Sequence, residues 1–322
     1  MSELFETYSD LDDLVEQLQS TDAGERRVAV MELADLGDPD VIPILRQVVA
    51  DKDSGVRAQC AKALGEYDGV AAAEALAEFV GDAETEVATE AARSMAELKD
   101  PASGDALIRL VENESTFVRA AALRGLKELR RADCLPVALK ALSDAEPTVR
   151  AEAIGVIGFL KLEEAVPALK AACSDPEAHV RRAAVSALSF SELSAAHETI
   201  IAAIADEDWL VRETAADTIW RAPKSEAAVA ALLGALDDEF WQVRLKSTRS
   251  LGKLKVEEAV ARIGPYLGLG QANLRKETAA ALGEIASPSG LEFLTPYADD
   301  SDPDVRKTVR WAIGKIQEQA NA

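Results

Sequence analysis

The chain has 322 residues, of which 48% are hydrophobic and only 5% aromatic, and its 57 Asp and Glu residues against 35 Lys and Arg residues give a net charge of −22. A field of this sign repels phosphate backbones and anionic membrane surfaces, so we expect neither membrane binding nor general nucleic-acid binding. No apolar run is long enough to span a bilayer, and the acidic N-terminal residues do not form a secretory signal. A cytoplasmic protein is therefore expected.

One short pattern recurs along the chain: a Val-Arg pair followed by small and apolar residues at helical spacing, as in Ser54–Tyr67. The steps between successive copies are 31 residues, except for one step of 32. With the Arg as position zero, the copies lie at Arg26, Arg57, Ala88, Arg119, Arg150, Arg181, Arg212, Arg244, Arg275 and Arg306. A fixed period of this length predicts one array of stacked repeats instead of separate globular domains. The array is expected to occupy residues 1–322, with repeats that start near residues 10, 41, 72, 103, 134, 165, 196, 228, 259 and 290.

Each repeat is predicted to contain two helices joined by short turns. In repeat two, the first helix runs over Asp38–Val49 and has a proline at its start, where the missing N–H costs nothing. The second helix carries the Val-Arg pattern to Tyr67, and its apolar residues recur three and four positions apart, as on a buried helix face. Repeat one is predicted to pair Leu11–Leu18 with Glu25–Leu36, and the last repeat to run over Gly290–Ile316.

In most repeats an Asp or Asn stands six residues before the position-zero Arg, in the turn between the two helices. Arg presents a rigid fork of donors that suits carboxylates and turn carbonyls. We expect a structural ladder that fixes the turns and the stacking register; the alternative is a row of anion-binding arginines. Ala88 in repeat three and Leu267–Gly270 in repeat nine break the pattern, so looser stacking is expected there. The predicted members of the ladder are Arg57, Arg119, Arg150, Arg181, Arg212, Arg244 and Arg306.

The pattern D-x-x-x-x-V-R-x-x-A-A-x-A-L-G at this period, which Ser54–Gly65 and Pro147–Gly158 match well, resembles the short HEAT-like repeat associated with phycobilisome bilin lyases. The resemblance covers essentially the whole chain. It implies an all-α fold, a right-handed α-solenoid of armadillo-like architecture, with the second helix of each repeat on the concave face. Members of this group are mostly protein-binding scaffolds, and a subset are bilin lyases that act as paired subunits.

Positions −3, −2, +1, +2, +5 and +9 of the second helix are predicted to be exposed. They hold ordinary mixed residues in the first three repeats and become aromatic and basic from repeat four onwards. Aromatic and Arg side chains dominate binding hot spots, and contiguous exposed apolar area marks interaction sites. The alternative interpretation is that the bulky residues pack on the next repeat or turn inward. The candidate site residues are Phe117, Phe159, His179, Arg182, Phe190, Trp209, Leu210, Arg221, Trp241, Leu245 and Arg249.

No motif for catalysis, metal binding or phosphate binding is found, so no catalytic residue, metal or cofactor is predicted. The only histidines are His179 and His197, and a single His-Glu pair at His197 is too few for the di-iron site of HEAT-type hydroxylases. None of the three cysteines, Cys60, Cys134 and Cys173, forms a C-x-x-C pair, and Cys60 is expected to be a small buried residue.

The leading hypothesis is a non-enzymatic scaffold or adaptor that binds a protein or peptide on the concave face of the solenoid. The alternative is a bilin lyase or tetrapyrrole-binding subunit that holds its chromophore in the same groove. A third and weaker hypothesis is a HEAT-like nucleic-acid-binding protein or DNA glycosylase, which requires a cationic concave surface that the net charge disfavours. The sequence carries no signal for the oligomeric state.

Overall fold

The computed structural model describes residues 11–320, and this part of the chain consists of helices and turns without a β-strand. The chain forms two compact units, Met1–Leu160 and Lys161–Ala322. The boundary follows the second helix of repeat five, so each unit contains five of the predicted repeats. That all ten repeats form one array stays a prediction.

The second helices are regular α-helices that begin just before the Val-Arg pair. The last of them continues beyond the predicted end at Ile316, since the following residues include Gln, Glu and Ala, which favour helix. In the first unit they are Ala23–Asp35, Ser54–Ala63, Thr85–Ala96, Thr116–Leu129 and Pro147–Leu160. In the second unit they are Ala178–Leu188, Trp209–Thr218, Trp241–Lys253, Ala272–Ile285 and Pro303–Ala320. Short 3₁₀ turns, Leu64–Glu66 and Ile219–Arg221, extend two of these helices.

The first helices are shorter, and most of them begin or end as 3₁₀ turns. In the first unit they cover residues 11–17, Pro39–Ala50, Val70–Phe79, Pro101–Leu110 and Ala132–Ala141. In the second unit they cover Glu163–Ala172, Ser194–Ala203, Glu226–Asp237, Glu257–Gly268 and Pro288–Tyr297. The proline that opens repeat two lies at the first position of its 3₁₀ turn, as the sequence predicts.

Aspartates cap several of the second helices. The Asp53 carboxylate accepts a hydrogen bond from the Val56 backbone N–H at 3.0 Å, and the Asp208 carboxylate accepts one from the Leu210 N–H at 2.8 Å. These N–H groups have no partner within their own helix, so the caps satisfy donors that would otherwise be unpaired. Each of these caps fixes the residue at which its helix begins and therefore the direction of that helix's side chains.

The core of each unit lies between a layer of first helices and a layer of second helices, and within a unit each second helix packs on the second helix of the next repeat. In repeat two the Val-Arg pattern contributes Val56, Cys60, Ala61 and Leu64, all fully buried. The Cys60 thiol also donates to the Leu45 carbonyl at 3.1 Å. The apolar stripe therefore faces the core. Ala58 and Ala63 of this helix are buried as well, whereas Lys62 is exposed.

The position-zero arginines link successive repeats. The Arg57 Nε and Nη2 atoms donate to the two carboxylate oxygens of Asp82 in the next repeat at 2.6 and 2.9 Å. Its Nη1 donates to the Asp51 carbonyl in its own turn at 2.8 Å. The same paired contact joins Arg119 to Asp144, Arg181 to Asp206 and Arg212 to Asp238, and also Arg26 to Asp51 and Arg275 to Asp300, two members that the predicted set omits.

The other three predicted members of the ladder make the same hydrogen bond to the turn of their own repeat as Arg57 does. Arg150, Arg244 and Arg306 donate through Nη1 to the carbonyl six residues earlier, at 2.9, 2.6 and 2.6 Å. The residue that corresponds to the aspartate partner of Arg244 is Leu269, as the break in the sequence pattern of repeat nine predicts.

The looser stacking expected at repeat nine is not found between the second helices of repeats eight and nine. A Cβ atom added at Gly252 would lie 2.7 Å from the Ala281 Cα atom, so the two helix backbones approach closely. Fully buried small residues, Ser247, Thr248 and Thr278, lie on the same helices. The second helices of repeats eight and nine therefore approach closely although Leu269 stands where most repeats have the ladder aspartate.

Candidate functional site

The outward positions of the second helices form a surface on each unit, which we call the second-helix face. None of the eleven candidate residues on it is buried. Phe117, Phe159 and Phe190 are 42%, 40% and 52% exposed. The polar candidates His179, Arg182 and Arg221 are also exposed, whereas Trp209, Leu210, Trp241, Leu245 and Arg249 are half-buried.

In the first unit, the Phe159 ring lies beneath two cations. The Lys127 Nζ atom and the Arg130 guanidinium carbon both lie 5.5 Å from the ring centroid. A cation at this distance from an aromatic face is attracted by the ring quadrupole. Phe117 is exposed at the start of the second helix of repeat four.

In the second unit, Phe190 lies between two cations at the end of the second helix of repeat six. The Lys161 Nζ atom is 4.9 Å from the ring centroid and the Arg221 guanidinium carbon is 5.9 Å from it. Arg221 also lies 5.2 Å from the Trp220 ring. A groove of about 260 Å³ adjoins this group and is lined by residues of repeats six, seven and eight that include Ser186, Ser189, Phe190, Thr214, Asp217 and Arg221.

Trp209 packs on the turn of the next repeat. Its ring stacks on the Phe240 ring with the centroids 5.0 Å apart and the planes 8° apart. The Arg212 guanidinium, held by Asp238, lies 5.8 Å from the same Phe240 ring. Phe240 stands four residues before Arg244, the position that the capping Asp208 occupies before Arg212, so repeat eight places a ring where repeat seven has a capping carboxylate. Trp209 therefore packs on the next repeat, as the alternative interpretation of the bulky residues in the sequence analysis expects.

Arg249, which the sequence suggests as a partner for acidic groups, already has intramolecular carboxylate partners. It donates to Asp217 at 3.1 Å and to Glu277 at 2.8 Å. Lys246 reaches the same Asp217 carboxylate at 3.3 Å. These hydrogen bonds raise the pKa of Arg249, with the bond to Glu277 as the largest cause. The group ties repeats seven, eight and nine together and leaves Arg249 less available to a partner than Arg221.

Sequence reasoning missed several aromatic and basic residues of this face. Trp311 is 45% exposed with the Lys315 Nζ atom 4.8 Å from its ring, and it lies at position +5, which the exposure rule already includes. Phe240 stands four residues before position zero, one residue outside the positions that the exposure rule includes. The cations Lys127, Arg130 and Lys161 carry no sequence signal, because only packing brings them over rings in other repeats.

The described residues show no arrangement typical of a catalytic centre. Burial raises the pKa of the Cys134 thiol to about 11 and that of the Cys173 thiol to about 12, so neither is an effective nucleophile near neutral pH. The His197 ring is half-buried, with its Nε2 atom 3.0 Å from the Ser191 carbonyl oxygen. Among residues 11–320 no cluster of His, Cys, Asp or Glu side chains could hold a metal ion. Within the same range no helix is both long and apolar enough to cross a bilayer.

Comparison with known families decides the assignment. Five segments match the family described as HEAT repeats: residues 11–92, 79–144, 135–199, 197–268 and 260–322. The chain belongs to the HEAT repeat family. These segments together cover the chain from residue 11 to its end, and the fold is the α-solenoid class that the repeat pattern predicts. A search of curated proteins finds no match.

HEAT-repeat structures share the fold at low sequence identity. YibA of Escherichia coli is 18% identical with a TM-score of 0.65, over 83% of this chain and 97% of YibA. Kap95 in its complex with Nup1 is 14% identical with a TM-score of 0.66, and importin beta is 15% identical with a TM-score of 0.60. Both of these matches cover 96% of this chain and 50% of the other chain. At these identities the likeness establishes the fold alone.

Proposed function

We propose that this HEAT-repeat protein is a non-enzymatic scaffold that binds a protein or peptide through the second-helix face of its second unit. The observation that carries the proposal is Phe190. This ring is more than half exposed, lies between Lys161 and Arg221, and borders an open groove. A large apolar ring held in water by two cations is a ready anchor for a partner.

The energetics favour an anchor at this place. Covering the exposed half of a phenylalanine ring removes apolar area from water, which is worth about 25 cal/mol for each Å². The flanking cations add attraction to partner carboxylates and fix the ring through cation–π contacts of roughly 0.5–1 kcal/mol. Aromatic and Arg residues of this kind supply most of the binding energy in interfaces that have been studied by alanine substitution.

The fold is compatible with this role. One of the similar structures, Kap95 in complex with Nup1, is a solenoid that carries a protein partner. The alternative form of the proposal is that the chain belongs to the phycobilisome-lyase repeat group and binds a bilin, instead of a protein, at the second-helix face. The two forms differ in one observable, because a bound bilin changes its visible absorption and a peptide does not.

Affinity purification from extracts of the source organism, followed by calorimetry with the purified partner, tests the proposal. Phe190→Ala combined with Arg221→Ala is expected to weaken binding roughly thirtyfold or more, the effect of losing about 2 kcal/mol at a hot spot. Thermal stability should change little, since both side chains are exposed.

Trp311→Ala combined with Lys315→Ala is the matched control. It removes an exposed ring and the cation above it from the same unit but from the last repeat. Partner binding should persist in this variant. Undiminished binding by the Phe190 and Arg221 double variant would overturn the proposed site, and a visible absorption shift on mixing with a bilin would favour the alternative form.

A further inference from the structure

One position of the second helix changes character along the second unit. Nine residues after position zero stand Phe190, Arg221, Lys253, Glu284 and Lys315 in successive repeats. We call these five residues the plus-nine row. In the first unit the same position holds Asp35, Glu66, Glu97, Glu128 and Phe159, so four of its five members are acidic. The second unit therefore places cations where the first unit places carboxylates.

The cations of the row differ in whether a carboxylate already neutralises them. Lys315 pairs with Glu284 at 3.4 Å, so the members of the row in repeats nine and ten neutralise each other. Arg221 contacts only aromatic rings, and neither Arg221 nor Lys253 has a carboxylate partner among residues 11–320. Both side chains are exposed. In a protein of net charge −22, two neighbouring unpaired cations beside an exposed ring are a local exception.

The geometry of stacked helices sets the spacing of a matching ligand. Packed helices lie about 8–10 Å apart, and the second helices of repeats six, seven and eight pack in succession. An extended peptide in the polyproline II conformation advances about 3.1 Å for each residue and completes one turn every three residues, so roughly three of its residues span one repeat. A polyproline II segment that crosses the row therefore presents side chains of one face to Phe190, Arg221 and Lys253 in turn, at intervals of about three residues.

We propose that Phe190, Arg221 and Lys253 bind an extended acidic segment of the partner, with an apolar residue on Phe190 and carboxylates at successive three-residue intervals on Arg221 and Lys253. This inference rests on the proposed scaffold function and specifies the chemistry of its partner. Charge complementarity selects the acidic segment, since the unpaired groups of the row are cationic. Lys161, whose Nζ atom lies 4.9 Å from the Phe190 ring centroid, adds a further cation to this group.

Nucleic acid is the poorer fit to this surface. Its affinity comes from many phosphate contacts, whereas the row offers two unpaired cations in a strongly acidic chain. The carboxylates of Glu213 and Asp217 line the adjoining groove and would repel a continuous phosphate backbone. A peptide can place neutral residues opposite those two groups and acidic residues only opposite the row.

Fluorescence anisotropy with labelled glycine-serine peptides tests the proposal on the full chain. The peptide carries one phenylalanine and two glutamates spaced by three and six residues from it, and is made in both chain directions. At least one direction is expected to bind, and replacing both glutamates by glutamine should weaken binding roughly tenfold. Moving the glutamates next to the phenylalanine should weaken it by roughly threefold or more, because the second carboxylate then cannot reach Lys253.

Protein variants provide the second arm. Arg221→Glu combined with Lys253→Glu should weaken binding of the acidic peptide roughly tenfold. Lys170→Glu combined with Lys307→Glu makes the same change in net charge at two lysines outside the row that have no ion pair among the described residues, and should leave binding within roughly twofold. If the reversal variant does not fold, Arg221→Gln with Lys253→Gln takes its place.

Two outcomes would overturn the inference. Equal binding of the glutamate and glutamine peptides would show that the row does not recognise carboxylates, and preferential binding of a single-stranded oligonucleotide would assign the row to a different ligand. Either result leaves the scaffold proposal standing if the natural partner still depends on Phe190. Loss of that dependence, by contrast, removes the proposed function itself.

Discussion

A single guanidinium group in this protein holds two turns at once. Arg57 donates two parallel hydrogen bonds to Asp82 of the next repeat and one to the Asp51 carbonyl of its own repeat. Asp82 also accepts the Glu84 backbone N–H at 2.9 Å, which fixes the turn around it. The planar fork of Arg satisfies these three acceptors simultaneously, and a lysine ammonium on a flexible stem cannot reproduce that geometry.

Arg57→Lys is therefore expected to lower the free energy of unfolding by about 1–2 kcal/mol, because it loses the bidentate pair and keeps only a point charge. Urea unfolding followed by circular dichroism measures the change. Arg306→Lys is the matched control, since Arg306 makes the turn contacts to Asp300 and Ser301 but has no carboxylate partner among residues 11–320. Equal losses in the two variants would show that the link between repeats contributes nothing.

Among the helices, the contact between repeats eight and nine depends on the absence of side-chain atoms. The Gly252 Cα faces Ala281 so closely that an added Cβ would lie 2.7 Å from the Ala281 Cα atom and 2.8 Å from its Cβ. Both neighbours are rigid, since one is backbone and the other is a methyl on the same helix. A larger residue at position 252 must push the two second helices apart.

Gly252→Ala should destabilise the second unit by about 1–3 kcal/mol through overpacking, even though alanine favours helix. Gly234→Ala supplies the control, because Gly234 ends the helix Glu226–Gly234 with φ of −60° and has no atom within 4 Å of an added Cβ. That variant should gain up to about 1 kcal/mol from the reduced freedom of the unfolded chain. Urea midpoints of the two variants that move in the same direction would contradict the assignment of the close contact.

The helices themselves could be predicted from the sequence, whereas the contacts on their outer face could not. A period of 31 residues with apolar positions three and four apart determines which side of each second helix is buried, as at Val56 and Leu64. It says nothing about which distant side chain covers an exposed one. Two examples are the stacking of Trp209 on Phe240 and the hydrogen bonds of Arg249 to Asp217 and Glu277. In each the partners are 28–32 residues apart in the chain, and only packing brings them together.

The helix type at the ends of the first helices cannot be predicted from the sequence for a related reason. Their positions follow from the period, but many of them start or end as 3₁₀ turns, as in Pro39–Val41 and Gly264–Gly268. A 3₁₀ turn and an α-helix place prolines and apolar residues in similar patterns over three or four positions. Such turns open some first helices and close others, and the sequence pattern does not mark which.

Across the whole chain, the ladder couples stability to pH. Hydrogen bonds from Arg26, Arg57, Arg119 and Arg275 hold the pKa values of Asp51, Asp82, Asp144 and Asp300 below the usual range of an aspartate. The stabilising contribution of these links is therefore lost in strong acid, and it is lost in both units, since each contains ladder pairs.

The sign of the effect follows from linkage. A carboxyl whose pKa is lower in the folded state stabilises that state above its unfolded pKa of about 3.9, and the stabilisation is lost as the pH falls through the folded value. The contribution of the ladder to the stability of the wild type, measured by thermal unfolding, should thus be nearly constant from pH 7 to about pH 5. It should fall steeply below about pH 4. Relief of the net charge of −22 on acidification works in the opposite direction, so the wild-type curve alone does not isolate the ladder.

The difference between wild type and Arg57→Lys isolates it. Both proteins carry the same net charge, so their self-repulsion cancels, and the remaining difference reports the Asp82 pair. This difference should be full at pH 7 and should shrink towards zero once Asp82 is protonated, because a neutral carboxyl no longer distinguishes the two cations by charge-assisted pairing. A difference that stays constant from pH 7 to pH 3 would mean that Arg57 stabilises the stack through its bond to the Asp51 carbonyl and the packing of its stem. Each ladder arginine would then stabilise only the turn of its own repeat and would not link neighbouring repeats.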